Sequence, residues 1–206
     1  GFLTNISIYD IIICIERIGQ MGYIYGLDLS MLNTGVSIYD TEIKKFVHVS
    51  SITTKRIAER DSNFIDGRRL QHIHDEFMIL REKFPPSVVV IERGFTRFNT
   101  ATQVLFRVHG VANLIFSDCP QIYYTPMRIK SMVYDGTATK KEISELIRKR
   151  LNLSFANEDE SDAVAITLTY LIENEMIEWK SVKALTAKQK KKNEDAKKPK
   201  KKTTEK

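Results

Sequence analysis

Apolar and polar positions in this chain follow two periods, and the switches between them predict the elements. Tyr23-Ile24-Tyr25-Gly26-Leu27 is an apolar run that stops at Asp28, and after a short polar turn Asn33 to Asp40 reads as a second strand. Lys44 to Ser50 reads as a third strand, pairing with the second as a hairpin. Ile57, Phe64, Ile65, Leu70, Ile73, Phe77 and Leu80 recur near helical spacing and predict one long helix over 55–84, stopped by Pro85-Pro86. Val88 to Ile91 is a buried strand ending at Glu92. A helix over 100–117, a short strand at 122–124 and a helix opening on Pro126 and running to Val133 follow. Asp135-Gly136-Thr137 breaks the pattern before a helix over 140–151. The acidic stretch 157–162 then leads into a last helix over 163–175. Three strands followed by strand–helix alternation predict a mixed α/β sheet with helices on both faces; periodicity leaves the strand order open.

Composition narrows the class. At 206 residues the chain holds one domain with a real core. Cys14 and Cys119 form no CxxC pair, which fits a reduced, intracellular protein. No apolar run reaches the ~18 residues that span a membrane. The net charge of +6 is uneven: ten lysines and three acids give residues 188–206 a charge of +7, leaving −1 for the rest. A nucleic-acid groove on the body would therefore have to be locally basic. The expected organisation is an N-terminal extension over 1–20, a domain over 21–178, and a lysine-rich, disordered tail over 179–206. The extension has neither the basic start nor the cleavage site of a signal peptide. His72 and His74, two apart on a helix, face different sides and read as a solvated pair.

The candidate chemistry lies in carboxylates. Asp28 and Glu92 each end an apolar strand, so they would meet at one sheet edge, where like charges repel unless a cation or proton intervenes. Asp159 and Asp162, three apart, share one helix face. Acids at a helix N-terminus also stabilise the helix dipole, which explains one or two of Glu158, Asp159, Glu160 and Asp162 without any chemistry. It does not explain two strands that also end in carboxylates. Three or four hard oxygen donors suit Mg²⁺, and two such ions ~3.5–4 Å apart activate a water and neutralise a leaving oxygen in phosphodiester hydrolysis. Asp28, taken from a central strand, is expected to bridge them.

Five blocks recur in order: Gly26-Leu27-Asp28 with Asn33-Thr34-Gly35; Val90-Ile91-Glu92 with Phe95 and Asn99; Tyr124-Thr125-Pro126 with Ile129-Lys130; Gly136 to Lys140; and Asp159-Glu160-Ser161-Asp162-Ala163. Together, over residues 22–175, they resemble the RuvC family of Holliday-junction resolvases. The resemblance implies an RNase H-like fold with a mixed five-stranded sheet flanked by helices, a homodimer, and Mg²⁺- or Mn²⁺-dependent cleavage of branched DNA, above all four-way junctions, with two ions per active site. By position, Asp28, Glu92, Asp159 and Asp162 would be the metal ligands and Lys140 a further catalytic residue. Arg93, Phe95, Arg97, Lys130 and Lys140 would face DNA. No small-molecule cofactor is implied. The family's usual Asp-Pro-Gly is here Asp28-Leu29-Ser30, and the divergence resembles that of phage-encoded members.

Other readings share parts of this pattern. An actin-like ATPase also ends its first strand in Asp, but needs two such domains. An RNase H acting on RNA–DNA hybrids has the same fold and metals. A non-catalytic DNA-binding protein would have no use for carboxylates at all four positions.

Overall fold

The computed structural model describes residues 22–57, 64–94 and 99–180. The extension expected from the sequence lies outside the described residues, and so does the lysine-rich tail except for Trp179 and Lys180, which bond Val133 and Arg150. A five-stranded sheet runs β3-β2-β1-β4-β5. Its strands are β1 (Tyr23–Asp28), β2 (Asn33–Asp40), β3 (Lys45–Thr53), β4 (Pro86–Glu92) and β5 (Gln121–Tyr124). The first three pair antiparallel, and β1–β4 and β4–β5 pair parallel. Five helices follow the chain: α1 (Ile65–Lys83), α2 (Asn99–Ile115), α3 (Pro126–Val133), α4 (Lys140–Leu151) and α5 (Glu158–Glu173).

Strand alternation splits the core in two. Tyr25, Leu27, Val89 and Ile91 bury against α1 and α2, through Ile73, Phe77, Val108 and Ala112. Ile24, Val88 and Val90 bury against α3, α4 and α5. The mixed sheet with helices on both faces is as the hydrophobic pattern predicted.

The boundaries differ in three places. The helix expected over 55–84 has its described part at Ile65–Lys83, and β3 runs on to Thr53. Thr54 explains the longer strand: its hydroxyl donates to Met31 O at 2.6 Å and its N–H to Leu32 O at 3.0 Å, tying the chain to the β1–β2 turn. Ile57 and Phe64, counted toward the helical stripe, sit outside it, and Phe64 is exposed. The last helix starts at Glu158 rather than 163, so the acidic entry is its first turn. His74 does pair in the open with Asp75, at 2.9 Å, but His72 lines a cleft with His48 and Glu76 between β3 and α1.

α5 is buried without interruption from Ala163 to Leu171, because it lies across the sheet centre beneath α3 and α4. It lies unusually close. A Cβ on Gly35 would stand 2.1 Å from Asp159 O, and one on Gly26 2.1 Å from Thr167 Oγ1 and 2.5 Å from Ala163 O. Ser37 fills the remaining space, donating to Ala163 O at 2.8 Å and meeting Thr167 Oγ1 at 2.7 Å. Gly35→Ala should therefore cost about 2–3 kcal/mol, because backbone rather than a flexible side-chain end must move. The control is Gly67→Ala on α1, where nothing lies within 4 Å of the new methyl. That change should leave stability unaltered or raise it by up to about 1 kcal/mol. Urea unfolding of both variants checks the pair; equal stability of Gly35→Ala and wild type would contradict the close approach.

Candidate active site

β1 and β4 are parallel with Leu27 opposite Ile91, so Asp28 and Glu92 end neighbouring strands at one sheet edge. They are in phase with Ile24, Val88 and Val90, which places both on the α5 face. β1 is the central strand, as expected.

α5 brings its first turn to the same edge. Asn157 caps the helix: its side-chain oxygen accepts from Glu160 N at 3.1 Å, and its Nδ2 donates to Ser51 Oγ of β3 at 2.7 Å. Glu160 turns back and accepts from Ala156 N at 2.7 Å. This acid serves the helix start, so the capping explanation applies to it. Asp159 and Asp162 have other partners. Asn33 Nδ2 donates to Asp159 Oδ2, and Lys140 Nζ donates to Asp162 Oδ2. Lys140 reaches Asp162 because it opens α4, whose start is fixed by a capping box between Thr139 and Glu142.

The charges are crowded. Burial, then Asp162 and Glu92, push the Asp28 carboxyl up to about 7, with Lys140 pulling it the other way. Burial and Asp162 also raise Glu92, against Lys140 and Lys130. Burial raises Asp162 despite its bond to Lys140. For Lys140, burial acts downward, but the Asp162 bond and the charges of Asp162, Asp28 and Glu92 outweigh it and hold the ammonium above its ordinary range. The two partners of this ion pair both shift upward. For Asp162 burial is decisive, since its side chain is 16% exposed against 57% for Lys140.

A cleft of about 180 Å³ opens beside these groups, lined by Glu92, Lys130, Lys140 and Asp162 over Ile129 and Ala165. The donors are hard carboxylate oxygens, the set that suits Mg²⁺ or Mn²⁺, and a cation would relieve the repulsion that raises Asp28 and Glu92. Among the described residues, no three His, Cys, Asp or Glu side chains stand together as a group that could hold a metal ion.

Of the residues expected to face DNA, Lys130 lies on α3 at the cleft wall and Arg93 directly follows Glu92, its N–H donating to Tyr124 O at 2.7 Å. Phe95 and Arg97 lie outside the described residues. Sequence reasoning gave no role to Asn33, which holds Asp159 from 126 residues away, or to the packing behind Glu92. There Gly94 lies against Leu105 and His109 of α2, which a Cβ would meet at 2.9 and 3.0 Å. His109 is buried and stacks on Tyr123 at 6.4 Å. Only the Asn33-Thr34-Gly35 block hinted at the first, and nothing local signals the second.

The sequence pattern of the crossover junction endodeoxyribonuclease RuvC family matches residues 24–170. The chain belongs to the RuvC family. The RuvC of Chromobacterium violaceum is 31% identical over 157 residues, covering 71% of this chain and 84% of that protein. The RuvC of Prochlorococcus marinus is 27% identical over 155 residues, covering 73% of this chain and 96% of that one. Both are named crossover junction endodeoxyribonucleases. The solved Thermus thermophilus RuvC aligns with a TM-score of 0.62 at 23% identity over 75% of this chain and 96% of that one. The yeast mitochondrial Holliday junction resolvase aligns at 0.52 with 14% identity, covering 84% and 90%. The fold is RNase H-like, and as a RuvC-family member the chain is an endodeoxyribonuclease. Among the described residues no helix is long and apolar enough to cross a membrane.

The raised Asp28 carboxyl makes a pH prediction for metal-free protein. Its folded value near 7 lies above the ordinary 3.8, so between those limits the folded state binds more protons than the unfolded chain. Stability should therefore fall as pH rises through that window. Asp28→Asn should flatten the fall and gain on the order of 2 kcal/mol at about pH 8. Urea unfolding in chelator at about pH 5 and about pH 8 measures it. An unchanged slope in the variant would show that Asp28 ionises as an ordinary carboxylate.

Proposed function

We propose that this RuvC-family protein resolves four-way DNA junctions by paired phosphodiester hydrolysis at the Asp28 edge. The observation that carries the reading is the convergence of Asp28 and Glu92 with Asp159 and Asp162, buried enough to raise Asp28 to about 7. A Thermus thermophilus relative is described in complex with a Holliday junction substrate, which agrees with the substrate class.

Asp28, Glu92, Asp159 and Asp162 would hold two Mg²⁺ or Mn²⁺ ions, which when bound supply an activated water and charge neutralisation at the leaving oxygen. The chain's own residues do the rest. Asn33 orients Asp159. Lys140 pairs with Asp162 at the cleft, and were that carboxylate to hold a cation, the ammonium would be placed to face the phosphate. Lys130 and Arg93 attract the DNA backbone beside the cleft, on a body whose net charge is otherwise slightly negative.

Two symmetric cuts need two sites, and a two-fold homodimer supplies them. The face that favours a second copy is on α2: Phe106 and Leu114 are 53% and 75% exposed, with exposed Gly110 between them at helical spacing. Nothing lies within 4 Å of a Cβ placed on Gly110. Large apolar side chains bared in a row mark an interaction surface more often than a solvated one.

Asp28→Asn should reduce cutting by more than the about 10–100-fold that losing a supporting group costs, while junction binding persists. Digestion of four-way junction, fork, RNA–DNA hybrid and linear duplex in Mg²⁺ and Mn²⁺, with gel-shift binding of the variant, tests it. Preferred cutting of the hybrid would favour an RNase H activity. Loss of binding together with cutting, in a folded variant, would give Asp28 a structural role.

Leu114→Lys should give a monomer that nicks junctions singly. Sedimentation at micromolar concentration, with a supercoiled cruciform to score paired against single cuts, is the measurement. A monomeric wild type that still makes paired cuts would refute the dimer.

A further inference from the structure

Glu92 ends its strand with sheet support on one side only. β1 pairs with β4 as far as Leu27 opposite Ile91, one residue short of Glu92. On the other side Glu92 lies opposite Tyr124, and the N–H of Arg93 donates to Tyr124 O at 2.7 Å. At Gly94 the chain has left the sheet. Meanwhile the charge of Asp162 on α5 repels the Glu92 carboxylate. Behind this strand end stands α2. A Cβ on Gly94 would meet His109 Nε2 at 3.0 Å and Leu105 Cδ2 at 2.9 Å, so the backbone there rests against both side chains. The leucine methyl is the end of a flexible side chain, but the imidazole is held. His109 is 6% exposed, and its ring stacks on that of Tyr123 at 6.4 Å and 22°. Tyr123 is fixed in turn. Its hydroxyl donates to Asn113 Oδ1, one turn further along α2, at 2.6 Å, and its backbone lies opposite Ile91.

We propose that His109 is a positioning residue for Glu92: its ring backs the chain at Gly94 and keeps the Glu92 carboxylate from retreating from Asp28 and Asp162. The proposal rests on the reading of these carboxylates as metal ligands and adds to it the group that presets one of them. Like charges drive the strand end away from α5 while no cation lies between them. Two things oppose that motion, the single backbone hydrogen bond from Arg93 and the ring behind Gly94. The ring is the stiffer, because close-packed side chains transmit a displacement instead of absorbing it. The carboxylates do not by themselves stand as a group that could hold an ion, so the distance Glu92 must travel enters the affinity directly. A ligand held near its bound position spares that reorganisation. His109 acts through the backbone and not on the metal, which distinguishes it from the four carboxylates and from Lys140.

The test is Mn²⁺ binding without DNA, read from the electron paramagnetic resonance signal of the free ion. Wild type, His109→Ala, Gly94→Ala and the double variant are compared. His109→Ala should weaken Mn²⁺ binding about 10–100-fold, the loss that follows removal of a group supporting a metal ligand. Gly94→Ala should weaken it too, because its methyl forces the backbone and the imidazole apart. In the double variant the methyl enters space the ring has left, so the combined loss should fall short of the product of the two. Junction binding in chelator, followed by gel shift, should stay at the wild-type level in all three. His109→Ala with wild-type Mn²⁺ affinity, or losses that multiply in the double variant, would overturn the proposal. So would junction binding that falls in step with Mn²⁺ binding, since that marks a general disturbance of the fold. Should His109→Ala not fold, Gly94→Ala decides alone, and an unchanged Mn²⁺ affinity there would overturn it. A wild type that binds Mn²⁺ but cuts no junction would instead sink the resolvase reading, with the role of His109 still decided by the binding data.

Discussion

The backbone of α5 rests directly on β1 and β2, and that contact requires glycine at two points. Gly35 lies under Asp159 O, and Gly26 under Ala163 O and Thr167. The contact sets the height of α5 above the sheet, and with it the height of Asp159 and Asp162 above the strand ends that carry Asp28 and Glu92. Ser37 adds a hydrogen bond from the sheet to the helix backbone, so the helix is held in register as well as in height. Asn157, bonded to Ser51, and Asn33, bonded to Asp159, pin the first turn from the side. The site is thus built on rigid elements, which holds geometry more closely than loops can.

That rigidity concentrates negative charge. A carboxyl raised to about 7 disfavours its own ionisation in the folded state, so in the absence of a cation the site works against stability. Lys140 relieves part of the strain by pairing with Asp162. The same arrangement makes the site receptive to hard cations, because any ion that enters removes repulsion felt by several groups at once. The fold supports this cost with two separate apolar cores, one on each face of the sheet.

α3 lies between the carboxylate-lined cleft and a neighbouring cavity, which share Pro126 and Lys130. Its start is capped by Thr125, and its side is tied to α5 by Arg128, which bonds Glu173 alongside Tyr124 of β5. At its far end Trp179 Nε1 donates to Val133 O at 2.9 Å, and Arg150 stacks on that indole at 4.7 Å. Lys130, common to both hollows, is therefore carried on a helix anchored at both ends.

Much of this was legible along the chain. Apolar runs that stop at Asp28 and Glu92 predicted strands delivering carboxylates to an edge, because a strand's period and end are local properties. The five ordered blocks pointed to the family and to the Asp159 and Asp162 pair. Tertiary structure decided what depends on distant partners. The extension of β3 to Thr53 is held by Thr54 bonding to Met31 and Leu32, which no local propensity encodes. Which acids of 158–162 cap the helix and which face the site was settled by the partners available: Ala156 for Glu160, Asn33 for Asp159, Lys140 for Asp162. The need for Gly26 and Gly35 arises only when a helix from the other end of the chain is laid on the sheet. Sequence carries the identity and period of side chains; the distances between elements far apart in the chain, which decide charge coupling and close contact, exist only once the chain has folded.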